Sequence, residues 1–453
     1  MTRGRRAKRM VLFLVGLMIG GCGQVQSALP PTQPTLISSA SVTSEKPLKA
    51  GDLLFIRDGY GSNTDRLSLV DTTGGKRAQE MLLGVPSPDW STLYTAQQHF
   101  EIGKRATYVR ALNVTTGQPI RQITLNDVFE LPAVELDGGP GGLSPDGRWL
   151  VLQTSPYRRD GKWQSRFIVL DTAFKQTPRT VNLSGNYLFD AISNDGNGLF
   201  LIENIPPEDP TQYKVRLYDL TKGGMDPQVV ADKTDTEIMS GLRRTAIPSR
   251  DGEWLFSLYV RDSSGPFIHA LNLKQRFAVC IDLPEQGKED FEKQLLWSLA
   301  MGPDGKTLYA ANGALGLVAE VSVDEFKVMR TATIPTPSTS VISRLSALLD
   351  APVAEAKRIL IGGAALSSNG ATLFVLADKG LLAINTKDLT LRGRYLTDTT
   401  LDSVAVSPDG ERLYVVSVER NQIMQISATN GAMLGEVSGV KKPWGVLHVV
   451  AFS

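Results

Sequence analysis

The side chains of this sequence that could do chemistry are few and far apart. Two cysteines (Cys22, Cys280) and three histidines (His99, His269, His448) are spread over 453 residues. None of the histidines has the spacing of a zinc site, and histidine-based catalysis has few candidates. No P-loop, Gly-x-Ser-x-Gly or metal-spaced histidine pair is present. The Gly-rich stretch Asp137-Gly-Gly-Pro-Gly-Gly-Leu143 lacks the following helix of a dinucleotide site and reads as a loop. Cys280 falls in the alternating run Phe277-Ala-Val-Cys-Ile281 and reads as a small buried hydrophobe. No cofactor and no metal follow from these residues.

Composition sets the frame around them. Hydrophobic residues make up 42% and charged residues 21%, the balance of a globular chain, and a mean hydropathy of −0.09 makes any membrane contact local. The formal charge is +1, yet Arg3, Arg5, Arg6, Lys8 and Arg9 all lie before the first apolar run. Without those five the chain stands at −4 and holds no basic tract, so nothing in it calls for nucleic acid.

The first fifty residues are built differently from the rest. A basic stretch, Met1 to Arg9, precedes an uncharged apolar one, Met10 to Gly21. Twelve residues are too few to span a hydrocarbon core as a helix, which takes about 20. Basic then short apolar is the pattern of a secretory signal. It ends in Ile19-Gly20-Gly21-Cys22, which resembles the lipobox of bacterial lipoproteins. The resemblance implies cleavage after residue 21, lipid attachment to the Cys22 thiol, and a place in the cell envelope, facing the periplasm or the exterior. Residues 22–50, rich in Pro, Ser and Thr without hydrophobic periodicity, read as a flexible tether.

From residue 84 a repeat takes over. A short apolar strand leads to Ser-Pro-Asp-Gly or a variant, then to a second, strongly hydrophobic strand. The turns begin at Ser87, Ser144, Ser193, Ser249, Gly302, Ser367 and Ser407. Proline presets φ, Asp favours the next position and Gly takes φ > 0, which makes a tight reversal. One carboxylate per copy is too few for a calcium loop. A second hairpin follows each copy, as at Leu112-Asn-Val-Thr-Thr-Gly117 and Ile426-Ser-Ala-Thr-Asn-Gly431. Two hairpins make a four-stranded antiparallel propeller blade. Spacings of 57, 49, 56, 53, 65 and 40 residues imply variable loops on a constant core. The longest interval holds Ser343 to Leu349, expected to be helical, and Lys288 to Leu296 reads as a short helix leading into a blade.

Before the first turn, Leu53 to Ile56 and Arg66 to Asp71 belong to a blade lacking its innermost strand. At the other end, Trp444 to Phe452 is a strand with nothing after it. Pairing the two closes an eighth blade and removes the open sheet edges. The expected fold is an all-β propeller over residues 51–453 with eight blades, or seven if the terminal strands pack otherwise, and monomeric. Val404-Ala-Val-Ser-Pro-Asp-Gly410, Arg412-Leu-Tyr-Val-Val416 and Asn421-Gln-Ile-Met-Gln-Ile-Ser427 with Thr429-Asn-Gly431 resemble a YVTN-type repeat, and earlier copies are WD40-like in outline. That resemblance extends to quinoprotein dehydrogenase subunits, lactonases and binding modules, so it implies a fold and leaves activity open.

Ligands of propellers bind at the channel mouth, near the start of each innermost strand. Counting back five residues from each turn gives Leu82, Gly139, Leu188, Arg244, Trp297, Gly362 and Asp402. Arg244, with Arg243 beside it, could take an anion, although a pair of arginines is more often a solvated loop. Trp297 and Trp444 offer stacking surface or, more plainly, packing between blades. Asp402 is the one acid in this register, with Asp190 and Asp137 in neighbouring ones. A lactonase-like metal centre would need several such groups to converge. The expected role is therefore binding or scaffolding for an envelope protein or glycan, with loops Tyr157 to Trp163 and Pro206 to Tyr213 as a docking surface. A metal-dependent lactonase-like hydrolase, or a dehydrogenase-type subunit using the channel, is the alternative.

Overall fold

Each turn copy folds by the same local chemistry. In the computed structural model the Ser407 hydroxyl donates to Asp409 Oδ1 at 2.5 Å and accepts from the Arg412 backbone amide at 3.0 Å, while the Gly410 amide closes onto the Ser407 carbonyl at 2.9 Å. The same bonds recur at Ser144, Ser193 and Ser249. Gly410 has φ of +73°, where a side chain would be strained. In the first copy Trp90 holds that position at φ of 55°.

The structure describes residues 51–59, 65–74, 77–135, 139–230, 238–261, 265–285, 291–336 and 363–452. They form eight antiparallel sheets. Blade 1 contains Pro443–Ala451, Asp52–Asp58, Arg66–Asp71 and Arg77–Leu82, so the last strand of the chain is the innermost strand of the first blade. Blade 2 runs over Val85–Pro86, Thr92–Glu101, Lys104–Asn113 and Pro119–Leu125. Blade 4 comprises Tyr187–Ile192, Gly198–Asn204, Gln212–Asp219 and Gly224–Val229; blade 5 comprises Leu242–Pro248, Trp254–Val260, Phe267–Asn272 and Phe277–Asp282. Blades 6, 7 and 8 open with Ser298–Met301, Ala364–Leu366 and Ser403–Val406. The expected count of eight and the closure by both termini are what the fold shows.

Successive first strands lie side by side from blade 5 round to Pro443–Ala451, so they line the central axis. The second and third strands hold most of the buried apolar side chains, as in Leu199, Phe200 and Leu201 of blade 4 or Tyr414, Val415 and Val416 of blade 8, whereas those of blade 2 run on into exposed ends. Apolar cores sit between neighbouring blades rather than at the centre.

Blade 3 departs from the pattern. Trp149–Gln153, Lys162–Asp171 and Arg179–Ser184 are regular, but the innermost position is held by single bridges, Leu143 to Leu150 and Glu130 to Gln153. The Gly142 carbonyl accepts from the Val151 amide at 2.8 Å, and a Cβ on Gly142 would come within 2.3 Å of the Val151 oxygen. Gly139 to Leu143 thus form the close-packed inner wall of this blade. Of the two expected helices, the first appears as Phe291–Gln294, the one helix among the described residues. The other, at Ser343 to Leu349, lies outside them, as do residues 1–50, Asp137 and Gly362.

Antiparallel connection gives the ring two unlike faces. One carries the Ser-Pro-Asp-Gly turns and the turns between third and fourth strands, and is called the turn face here. The other, the loop face, carries the second-to-third-strand loops and the connections into each first strand. Gly51 enters at the turn face, where the Phe452 amide donates to its carbonyl at 2.9 Å.

Candidate functional site

Two longer loops come together on the loop face. Blade 3 joins its second and third strands through Ser155 to Gly161, with Tyr157–Arg159 pairing back onto Lys162 to Gln164. Blade 4 does so through Ile205 to Thr211, with Met239–Ser240 added beside Gln212 and Tyr213. Glu208 ties the loops: its Oε1 accepts from the Arg158 guanidinium and from Trp163 Nε1 at 3.1 Å. The Trp163 and Arg158 donors hold the Glu208 carboxyl below its usual range. Arg158 also lies 4.9 Å over the Trp163 ring.

Below them is a cavity of about 350 Å³ lined by Trp163, Asn186, Asn204, Pro207, Glu208 and Pro210. Asn186 Nδ2 donates to the Pro207 carbonyl at 2.5 Å, whereas its Oδ1 is buried without a hydrogen bond. An indole and two rigid prolines suit a ligand with a flat apolar face. A larger hollow of about 460 Å³ lies on the turn face, but Asp251 and Asp304 on its wall are held by amides of their own turns.

Next to this pocket, the first strands of blades 4 and 5 each carry an irregularity. Asp190 sits at the register shift between Phe189 and Ala191, Arg244 at the one between Arg243 and Thr245. Arg243 Nη1 donates to Asp190 Oδ1 at 2.6 Å, with side-chain exposures of 13% and 1%. Thr245 Oγ1 donates to Glu135 Oε1 at 3.1 Å, so the connection into blade 3 also reaches here. Behind the ion pair Tyr213 stacks on Tyr259 at 5.1 Å, His269 stands edge-on to Tyr259 at 6.3 Å, and Cys280 Sγ is 3.9 Å from His269 Nδ1. Burial raises both tyrosines above their ordinary range and lowers His269 to about 4.

The other sequence-selected residues are placed as follows. Trp297 is wholly buried in the core between blades 5 and 6, its Nε1 donating to Gln294 Oε1 at 2.9 Å. Arg244 is buried and donates from Nε to the Leu295 carbonyl at 2.8 Å. These two therefore meet on the Leu295 to Trp297 segment. Asp402 stands three blades away, buried, accepting the Val418 amide on Oδ2 at 2.8 Å. The Trp444 ring lies under Arg57 at 4.2 Å, and His448 stacks on Trp90 at 4.6 Å. Among the described residues no three His, Cys, Asp or Glu side chains are grouped to hold a metal ion.

Sequence reading found the two loops, Asp190 and Arg243, but not their companions Tyr213, Tyr259 and His269. The available signal was polar residues at inward positions of otherwise apolar strands, as in Phe267-Ile-His-Ala-Leu-Asn272.

No family model matches the chain, and no curated protein matches it. Apo AztD from Citrobacter koseri resembles it with a TM-score of 0.51 at 14% identity, over 89% of this chain and 98% of that one. The dihydro-heme d1 dehydrogenase NirN in complex with DHE aligns with a TM-score of 0.49 (12% identity, 88% and 75% covered). The periplasmic gluconolactonase PpgL of Pseudomonas aeruginosa aligns with 0.41 (16% identity, 87% and 97% covered). The first likeness agrees with the fold; at such identities none transfers an activity or a site.

Proposed function

We propose that this chain is an extracytoplasmic lipoprotein, anchored through Cys22, that binds an envelope protein or glycan on the loop face of its propeller. The observation that carries the reading is the joined surface of blades 3 and 4. There Glu208 joins both loops around the Trp163 pocket. The place of Gly51 supports it as well. The chain that follows Cys22 reaches the propeller at Gly51 on the turn face, opposite the loops of blades 3 and 4. Two acyl signals or more are needed for stable anchoring, which lipid on a cysteine with its amine also acylated would supply.

The test compares the full chain with Trp163→Ala and Cys22→Ala for binding to a purified envelope polysaccharide fraction and, separately, to a membrane-protein fraction. Binding to either fraction that falls at least tenfold in Trp163→Ala, with membrane attachment lost in Cys22→Ala, supports the proposal. Binding that survives Trp163→Ala overturns the site. Lactone turnover with a melting point raised by calcium or manganese would turn the reading toward the hydrolase.

A further inference from the structure

The seam between blades 4 and 5 differs from the one that follows it. Between blades 5 and 6 the facing side chains are apolar around Trp297. Between blades 4 and 5 a polar row crosses the whole blade. Arg243 and Tyr259 are cross-strand partners, and so are His269 and Cys280. The two-residue pleat puts all four on one face of blade 5, from the channel strand to the outermost strand. Tyr213 and Asp190 meet them from blade 4.

Five buried atoms of this row lack a well-formed hydrogen bond within the protein: Asp190 Oδ2, Arg243 Nε and His269 Nε2, and the hydroxyls of Tyr213 and Tyr259, which interact only with each other. Nine buried side-chain atoms of this kind occur among the described residues, so more than half are gathered at one seam. Buried polar groups left unpaired are rare in native proteins because each loses its hydration for nothing. Five gathered at one seam therefore call for a common partner.

The chemistry of that partner follows from the atoms. Arg243 Nε can only donate, Asp190 Oδ2 can only accept, and the two hydroxyls and the imidazole nitrogen can do either. Asp190 and Arg243 already neutralise each other at 2.6 Å, and burial keeps His269 neutral, so an ion of either sign gains little here. A small neutral molecule that both donates and accepts satisfies all five. We propose that the blade 4–5 seam is a closed hydration site, in which at least two water molecules link the channel-side Asp190–Arg243 pair to Tyr213, Tyr259 and His269. The number follows from about three hydrogen bonds per buried water.

The sign of a substitution tests this. If the hydroxyls bind water, Tyr213→Phe and Tyr259→Phe in the full chain each leave a buried water short of a partner, and each lowers the melting midpoint by roughly 1–2 °C. If the seam is dry, the same changes remove an unpaired hydroxyl and raise the midpoint. An unchanged or raised midpoint overturns the proposal. Should either variant fail to fold, diffraction from the wild-type protein to about 1.5 Å decides. Two or more ordered waters within hydrogen-bonding distance of Tyr259 Oη and His269 Nε2 support the site. A seam closed by direct contact between the two tyrosine hydroxyls, with no such density, overturns it.

Discussion

His269 shows how much one residue depends on where the fold places it. In the sequence it is an isolated histidine; in the structure it is 1% exposed and faces Asp190, Arg243, Tyr213, Tyr259 and Cys280. Burial holds its pKa at about 4 against an ordinary 6.5; Asp190 opposes that shift and Arg243 adds to it. The native state therefore keeps the ring neutral down to about pH 4, while the unfolded chain takes up a proton near 6.5. Between those values the unfolded state binds more protons, so stability falls as pH drops from about 6.5 to about 4. The loss from this group totals about 3 kcal/mol, and above pH 6.5 it contributes none. His448, also lowered by burial, adds to the same window. The comparison is thus between wild type and His269→Phe by urea unfolding at pH 7 and pH 4.5. The variant should lose less stability on acidification, and equal losses would show that His269 is not the group responsible.

At the scale of the element, the turns were legible and the seam was not, for one physical reason. A Ser-x-Asp-Gly turn is complete within six residues: the hydroxyl, carboxylate, glycine and receiving amide are all local, so seven copies could be read without knowing the fold. Blade 3 was harder, because its inner strand is a Gly-rich segment paired by single bridges, with no strand periodicity to read. The seam needs Asp190, Tyr213, Arg243, Tyr259 and His269 together, and their proximity depends on the register of two blades and a bulge in each inner strand. No local pattern encodes that. The two docking loops were legible as interruptions of the repeat, but their union through Glu208 was not. Ser407→Ala removes both a donor to Asp409 and the acceptor of the Arg412 amide, in a residue 1% exposed. It should cost about 1–2 kcal/mol in urea unfolding. Ser240→Ala, at an exposed serine outside any Ser-x-Asp-Gly turn, should cost less than half as much. Equal effects would mean that the hydroxyl bonds do not hold the turn.

For the whole molecule the decisive feature is closure. Seven turn copies and two unmatched terminal segments pointed to an eighth blade, and the structure places Pro443–Ala451 along Asp52–Asp58, with Leu54 opposite Val449 and Phe55 opposite His448. The neighbouring blade reinforces the join: Tyr414 Oη donates to Asp52 Oδ2 at 2.6 Å, and Arg412 pairs with the same carboxylate at 3.2 Å, all three side chains being buried. Trp90 completes it from blade 2, stacked on His448 and edge-on to Phe55 at 5.1 Å. That contact accounts for a tryptophan kept at a turn position where the other copies have glycine, despite a left-handed φ that costs about 1–2 kcal/mol. A ring so joined should lose cooperativity when the joint is cut. Deleting residues 443–453 strips the innermost strand from blade 1 and bares the edge of Asp52–Asp58, seven consecutive buried residues. The truncated chain should unfold in urea over a broader range and at a lower midpoint, and should associate through the open edge in size-exclusion chromatography. Tyr414→Phe, which removes one bond of the joint and leaves the strand, should cost only about 1 kcal/mol and keep a single sharp transition. If the truncated chain matched wild type in midpoint and steepness, blade 1 would be stable without its inner strand, and closure would be a matter of topology alone.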